Sequence, residues 1–419
     1  MIITNVMRIL LGQQLRPFQF KKDIGFLPDY NVPNFGLYVH IPFCKDICPF
    51  CPYYKIKYSS EYTKMYLNAL LTEIELAANK VLISDNKRHV TSLYLGGGSP
   101  ALMINDLPKL RNAIDKYFII DGNAGIELHP RDVKESTAEK LIDSGFNMIS
   151  IGIQSFKENL LSCLKRDIID TDKIFSLLTK KRFKGIDIDL IFGIPGQSEK
   201  DLRDDFLKAA DIGATQISTY PFIDFSYAEN RVKPQGHSGQ KNLLSTLLET
   251  AEKTGFKRTS VWTFGRKDAP HYSSITRDCF LGFGPSAASL GLDAFKVNTF
   301  SFEAYIETVN NKIIPTALKM RFTKRTRKLY WLFWNCYNGT IYKKDFKKLF
   351  SSELRQDFSL WLKLGTVMKL LQKMDYGWEL TDLGSYYFHW VEQRYTHQYI
   401  DKTWRLAMVE PWPNKISLY

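Results

Sequence analysis

Three cysteines fall within eight residues, as Cys44-x3-Cys48-x2-Cys51, directly after the strand-like run LYVHIPF at 37–43. Three thiolates on one tight loop can hold three irons of a cubane cluster and leave the fourth iron open to another ligand. The competing reading is a structural zinc site, which needs four ligands in a closed tetrahedron. No fourth cysteine follows at zinc-finger spacing, and His40 is the nearest substitute, placed within the strand itself. The spacing favours iron–sulfur over zinc. Cys163, Cys279 and Cys336 stand apart in apolar or mixed surroundings and read as small buried hydrophobes. Six cysteines so spaced do not make a secreted disulfide framework.

Other unusual residues sit at the ends of apolar runs. Gly96, Gly97 and Gly98 follow SLYLG at 92–96, where missing side chains let backbone approach a ligand. Glu127 closes GIEL at 125–128, and Gln154 closes MISIGIQ at 148–154. Asp189 lies inside GIDIDLIF at 185–192, an apolar setting in which a carboxylate needs a partner.

These residues must be positioned by an alternating chain. Strand candidates at 37–43, 92–96, 125–128, 148–154, 185–192, 215–222 and 257–264 are separated by amphipathic stretches at 61–79, 104–118, 134–144, 170–182, 198–212 and 239–254. In the last stretch Leu243, Leu244, Leu247, Leu248 and Ala251 form one helical stripe. Such alternation predicts an α/β fold of parallel βαβ units in a curved sheet or barrel, with chemistry at the carboxyl ends of the strands. After about residue 300 the alternation stops. Residues 316–419 read as Lys- and aromatic-rich helices, with a strand-like piece at 378–382 and an aromatic helix around 386–407, which together resemble a small winged-helix appendage. The expected division is an N-terminal extension at 1–36, a barrel with its extension at 37–300, and a helical substrate-covering domain at 301–419.

The chain has 419 residues, 44% hydrophobic and 24% charged, as for an ordinary globular protein. Its net charge of +13 comes from lysines scattered over several segments, so no nucleic-acid partner is expected. No run reaches the roughly 18–20 apolar residues of a membrane span, and MIITNVMRILLGQQL lacks the basic region and cleavage pattern of a leader. A cytoplasmic location is expected.

The stretch YVHIPFCKDICPFCPYY resembles the signature of radical S-adenosylmethionine (SAM) enzymes of the oxygen-independent coproporphyrinogen III oxidase superfamily, which includes haem chaperones and class C radical SAM methyltransferases. The likeness continues, in order, through YLGGGSP, ISIGIQSF, IDIDLIFGIPGQ and FLGFGPSAAS, covering roughly residues 36–300. It implies a partial (β/α)6-type barrel, a [4Fe–4S] cluster on Cys44, Cys48 and Cys51, and bound SAM. By the same resemblance Gly96–Gly98 contact the SAM amino group, while Glu127, Gln154 and Arg166 lie near SAM. Asp189 would meet a ribose, Phe50 would pack near adenine or shield the cluster, and Tyr38 would approach SAM. The block GFGPSAAS, with the space above Ile223, would take a second SAM molecule.

Three departures qualify the resemblance. Tyr53 stands where coproporphyrinogen oxidases commonly carry a fourth cysteine; 1–36 lacks their N-terminal segment; and HYSSITRDCF offers only His271 and Tyr272 toward the haem-chaperone motif. The leading expectation is therefore class C-like methyl or methylene transfer from two SAM molecules to an sp² carbon of an aromatic or heteroaromatic substrate. Oxidative decarboxylation of a coproporphyrinogen and haem trafficking are the alternatives. Expected partners are a flat conjugated small molecule, which Trp331, Trp334, Trp361, Trp390 and Trp404 could cover, and reduced flavodoxin or ferredoxin as electron donor.

Overall fold

Six parallel strands, Gly36–Ile41, Ser92–Gly97, Ala124–Leu128, Met148–Gln154, Gly185–Phe192 and Gln216–Pro221, follow one another in both sequence and space in the computed structural model. The structure describes residues 18–32, 35–82, 86–180, 183–229, 233–270 and 278–418. Along each strand the side chains alternate between two sides. Leu37, Val39, Leu93, Leu95, Ile126, Ile149, Ile151, Ile186, Ile188 and Ile217 join the main apolar core with the helices. The intervening positions, among them Tyr94, Glu127, Ser150, Asp187, Asp189 and Ser218, face the barrel interior, and all six line its cavity. This explains why acids tolerate such apolar runs: the neighbours at odd offsets bury themselves against helices and leave the acids inside.

The helices between the strands end where the chain supplies local partners. Ser59 caps Ser60–Val81 by accepting from the Tyr62 amide, and Ser198 with Asp201 forms a capping box at Glu199–Asp211.

The sheet extends well past the alternating region. Phe280–Phe283 runs parallel beside the first strand, and Ala288–Leu290, Ala294–Asn298, Thr316–Arg321, Phe18–Lys22 and Lys415–Leu418 continue it antiparallel. Thus residues 18–22, expected to belong to an extension, and two pieces of the expected helical region are strands of the central sheet. The run 257–264, expected as one strand, is a hairpin of Phe256–Arg258 and Thr263–Arg266, with Phe256 opposite Arg266.

A winged-helix-like unit is also present. Helices Lys324–Tyr337, Lys343–Phe350 and Leu354–Val367 pack with a three-stranded sheet of Thr340–Tyr342, Gly377–Leu380 and Leu371–Met374. Its own core includes Trp331, Ile341, Phe346, Leu362 and Trp378. The last helical segment begins at Asp382, passes through a π turn at Thr396–Ile400 and ends at Ala407. No helix among the described residues is long and apolar enough to cross a membrane.

Candidate active site

One cavity of about 540 Å³ opens at the carboxyl ends of the parallel strands, and the three clustered cysteines lie on its wall. Their loop is closed by short parallel pairing of Phe43–Cys44 with Ile56–Lys57. Within it the Cys51 amide donates to the Cys48 carbonyl at 3.3 Å, and the Lys55 ammonium donates to the Cys51 carbonyl at 2.7 Å. The thiols are free and partly buried. Burial, reinforced by the neighbouring thiols, pushes Cys44 up to about 12, and burial also raises Cys51. Among the described residues no three Cys, His, Asp or Glu converge as a single-ion site would need. A cubane takes each thiolate on a separate iron, so spread thiols on one wall fit it better than they fit zinc. His40 cannot complete a zinc site as it stands. Its Nδ1 meets the Tyr38 hydroxyl at 2.9 Å, its Nε2 meets the Tyr54 carbonyl at 2.8 Å, and burial lowers it to about 4.

The glycine loop passes close beneath the cysteines. The Gly98 amide donates to the Ile41 carbonyl and the Ser99 amide to that of Phe43, both at 2.7 Å. A Cβ on Gly98 would lie 2.4 Å from the Phe43 carbonyl oxygen, and Gly97 holds a φ of +108° with the His40 ring 2.5 Å from where its Cβ would be. Only glycine fits there without moving backbone. Glu127 is fixed by this loop: its Oε2 accepts from the Gly97 amide at 3.0 Å and its Oε1 from the Tyr94 hydroxyl at 2.6 Å. Burial raises its carboxyl to about 7, against the lowering effect of the Gly97 bond.

Two further carboxyls occupy the fifth strand. Asp189 Oδ2 accepts from the Ser150 hydroxyl at 2.8 Å, and burial, then Asp187 and Glu127, hold this acid well above its usual range. Asp187 Oδ2 accepts from the Gln216 amide and the Ser218 hydroxyl, both at 2.7 Å, and burial places its pKa at about 6. Sequence reasoning passed over Asp187, Ser150 and Tyr94, although Asp187 shares a strand face with Asp189 two residues on, which was the available signal. Gln154 ends the fourth strand with a φ of +74°, a conformation non-glycine residues seldom hold. Arg166 donates to the Gly152 carbonyl at 2.6 Å and reaches Cys48 Sγ at 3.5 Å.

Of the residues expected to bind cofactor, Phe50, Gly97, Gly98, Glu127, Gln154, Arg166, Asp189 and Ile223 line the cavity with the three cysteines. Tyr38 and Gly96 are not on the wall. Tyr38 stacks at 6.2 Å on Tyr94, which itself lines the cavity, and Gly96 abuts the Glu127 side chain. From the block at 282–289, Ser286 and Ala288 face the cavity. His271 and Tyr272 lie outside the described residues.

Away from the cysteines the wall becomes aromatic. Phe18, Phe295, Tyr330, Trp334, Tyr395 and Trp404 contribute, drawn from the N-terminal strand, the antiparallel sheet and the C-terminal helices. The five tryptophans therefore divide. Trp334 and Trp404 line the cavity; Trp331 and Trp361 belong to the winged-helix core; Trp390 packs among Tyr386 and His389.

Residues 38–209 match the model of the Radical SAM superfamily. The heme chaperone HemW of Buchnera aphidicola is 25% identical over 336 residues, covering 77% of this chain and 86% of that protein. The oxygen-independent coproporphyrinogen III oxidase of Escherichia coli strain K12 is 28% identical over 329 residues, covering 70% and 71%. The solved coproporphyrinogen III oxidase structure from Escherichia coli superposes with a TM-score of 0.74 over 92% of this chain and 93% of that one. At 20% identity that likeness is one of fold.

Proposed function

Because the chain is a radical SAM protein of the coproporphyrinogen III oxidase-like family, with the [4Fe–4S] cluster and SAM that this family implies, we propose that it abstracts hydrogen from a tetrapyrrole substrate of the coproporphyrinogen class. The observation that carries this reading is a single cavity joining the cysteine loop to a chamber walled by Phe18, Phe295, Tyr330, Trp334, Tyr395 and Trp404. Bound at the cysteine end, the cluster and SAM supply a 5′-deoxyadenosyl radical, chemistry the side chains themselves lack.

The chain's own residues bind and orient. Cys44, Cys48 and Cys51 would hold the cluster. The Glu127 carboxyl, anchored by Gly97 and Tyr94, presents an acceptor for an amino group, and Arg166 presents a guanidinium for a carboxylate. Asp189 with Ser150 offers a hydroxyl-binding pair for a ribose. The aromatic side chains of the chamber offer faces on which pyrrole rings can pack, and its apolar walls limit water near the reacting carbon. Reduced flavodoxin or ferredoxin would supply the electron, in the cytoplasm.

Oxidative loss of carbon dioxide from a propionate side chain, in which hydrogen abstraction is followed by release of carbon dioxide and of one electron to an external acceptor, is the outcome that the coproporphyrinogen III oxidase of Escherichia coli favours, while the heme chaperone HemW of Buchnera aphidicola favours haem trafficking. A second reading, methyl or methylene transfer to an sp² carbon with a second SAM, is favoured by the small Ser286 and Ala288 on the cavity wall and by Tyr53 in place of a cysteine. The deciding experiment gives the anaerobically reconstituted protein deuterated-methyl SAM, dithionite and coproporphyrinogen III. Carbon dioxide with 5′-deoxyadenosine and methionine supports decarboxylation. Label in a product, with S-adenosylhomocysteine or methylthioadenosine, supports transfer. No turnover of either kind, with tight binding of haem added in a separate titration, defeats both and leaves haem trafficking.

A further inference from the structure

On its C-terminal side the cavity holds an acid with unspent hydrogen-bonding capacity, as it does on the strand side at Asp187, whose Oδ1 is also unpartnered among the described residues. Glu392, on the helix Asp382–Tyr395, lines the cavity although the residue is only 5% exposed. Its Oε1 accepts from the Thr396 hydroxyl at 2.8 Å, whereas its Oε2 is buried and has no hydrogen-bond partner among the described residues. Every other charged residue on the wall comes from the cysteine loop or from the parallel strands and the segments just after them. Glu392 is thus the charged group of the chamber's far side.

The helix is built to present this face. Glu392, Tyr395, Thr396, Tyr399, Thr403 and Trp404 recur at three- and four-residue steps, and all line the cavity. The π turn at Thr396–Ile400 directly follows, a rare irregularity that clusters at functional positions. Burial, with the Glu392 carboxylate among the further causes, raises the hydroxyls of Tyr337, on the helix Lys324–Tyr337, and of Tyr395, on the same helix as Glu392, and both line the chamber.

A buried acceptor left unpaired has lost its hydration with nothing in return, so a ligand that pairs it gains selectively. We propose that Glu392 is a substrate-binding residue whose carboxyl, turned so that its unpartnered oxygen enters the chamber, accepts a hydrogen bond from a ring N–H of the bound molecule. This rests on the reading that the chamber takes a tetrapyrrole, and it adds the orientation in which ring N–H groups are directed at the C-terminal helix. Burial lifts the carboxyl to about 8, and an N–H donor would favour its ionised form. A carboxylate-rich edge of the substrate would face the basic side chains at the cysteine end, Lys45, Lys55, Arg131 and Arg166.

The test uses the full-length reconstituted protein and two probes: metal-free coproporphyrin III, which has inner N–H groups, and its copper(II) complex, which has none. Binding is read by quenching of protein tryptophan fluorescence under anaerobic conditions without reductant. Glu392→Met should weaken metal-free coproporphyrin III by roughly ten- to hundredfold, the range for one hydrogen bond to a charged group. It should leave the copper complex within about twofold. Glu392→Gln, whose amide oxygen still accepts, should recover much of the loss. Equal binding of the metal-free probe by wild type and Glu392→Met would overturn the assignment while the ring-binding reading stands, as would equal weakening of both probes. If wild type binds neither probe, the ring-binding reading falls and takes this assignment with it.

Discussion

Arg166 donates to the Cys48 sulfur at 3.5 Å while its other terminal nitrogen holds the Gly152 carbonyl at 2.6 Å. One guanidinium therefore ties the cysteine loop to the end of the fourth strand, where Gln154 sits at positive φ. Removing it should loosen the SAM end of the cavity without removing any cluster ligand. Arg166→Ala should retain about four irons per chain and bind SAM roughly tenfold or more weakly. Arg166→Lys should restore little, since an ammonium cannot span both partners in one plane. Equilibrium SAM binding beside iron analysis checks this.

The cysteines themselves separate into two sets. Cys44→Ala, Cys48→Ala and Cys51→Ala should each abolish the reconstituted cluster, measured as iron, sulfide and the electron paramagnetic resonance of the reduced protein. Cys163→Ala, Cys279→Ala and Cys336→Ala should keep it, because none of the three lines the cavity. Stoichiometric zinc retained under anaerobic purification would count against the cluster.

Glycine placement gives a stability contrast. A methyl at Gly98 meets the Phe43 carbonyl at 2.4 Å, and both sides of that contact are backbone. Gly98→Ala should cost about 1–3 kcal/mol, as overpacking does. Gly236, with φ of −65° and nothing within 4 Å of an added Cβ, should accept alanine within about 0.5 kcal/mol. Urea denaturation of the two variants compares them directly.

Glu127 links pH to stability. The folded acid titrates near 7 against an ordinary 4.5, so the folded chain keeps its proton longer than the unfolded chain does. Its stabilising contribution is complete below about pH 4.5 and is lost as pH rises through about 7. Glu127→Gln, which cannot ionise, should therefore gain stability relative to wild type across that window, by no more than about 1.4 kcal/mol per pH unit. The same variant should bind SAM more weakly. A stability difference that stays flat between pH 4.5 and 7 would remove the buried-acid account.

The residues legible in sequence were those whose neighbours announce them locally. Six parallel strands showed as apolar runs spaced by amphipathic helices, and Glu127, Gln154 and Asp189 stood at or near their ends. What escaped was long-range. Phe18 pairs with Leu418, and the run Ala288–Leu290 has only three residues, so neither edge of the antiparallel half carries a local signature. Tyr38 matched a motif, yet the strand register seats it against Tyr94 and His40. Glu392 was invisible because its surroundings read as an ordinary aromatic helix; only packing against Tyr337 and the barrel mouth makes it a cavity residue.

Glu73 and Lys296 supply the last prediction. Both are 1% exposed, and burial, the leading influence on each, raises the acid and lowers the lysine to about 8. Glu73 Oε2 accepts from the Gly284 amide at 2.8 Å and the Tyr305 hydroxyl at 2.7 Å, while Oε1 accepts from Asn298 at 2.7 Å. Lys296 donates to the same Asn298 at 2.6 Å. The network pins the turn that carries Ser286 into the cavity, so its loss should reach the site as well as the fold. Glu73→Leu alone strands three donors and a buried ammonium and should cost about 3–5 kcal/mol, as breaking buried pairs does. Lys296→Met alone should also destabilise, because it leaves Glu73 without its countercharge. The double variant removes both charges, so its loss should be smaller than the sum of the two by roughly 1–3 kcal/mol. Urea midpoints for the four proteins of the cycle measure that coupling; strict additivity would mean that the two charges do not support one another.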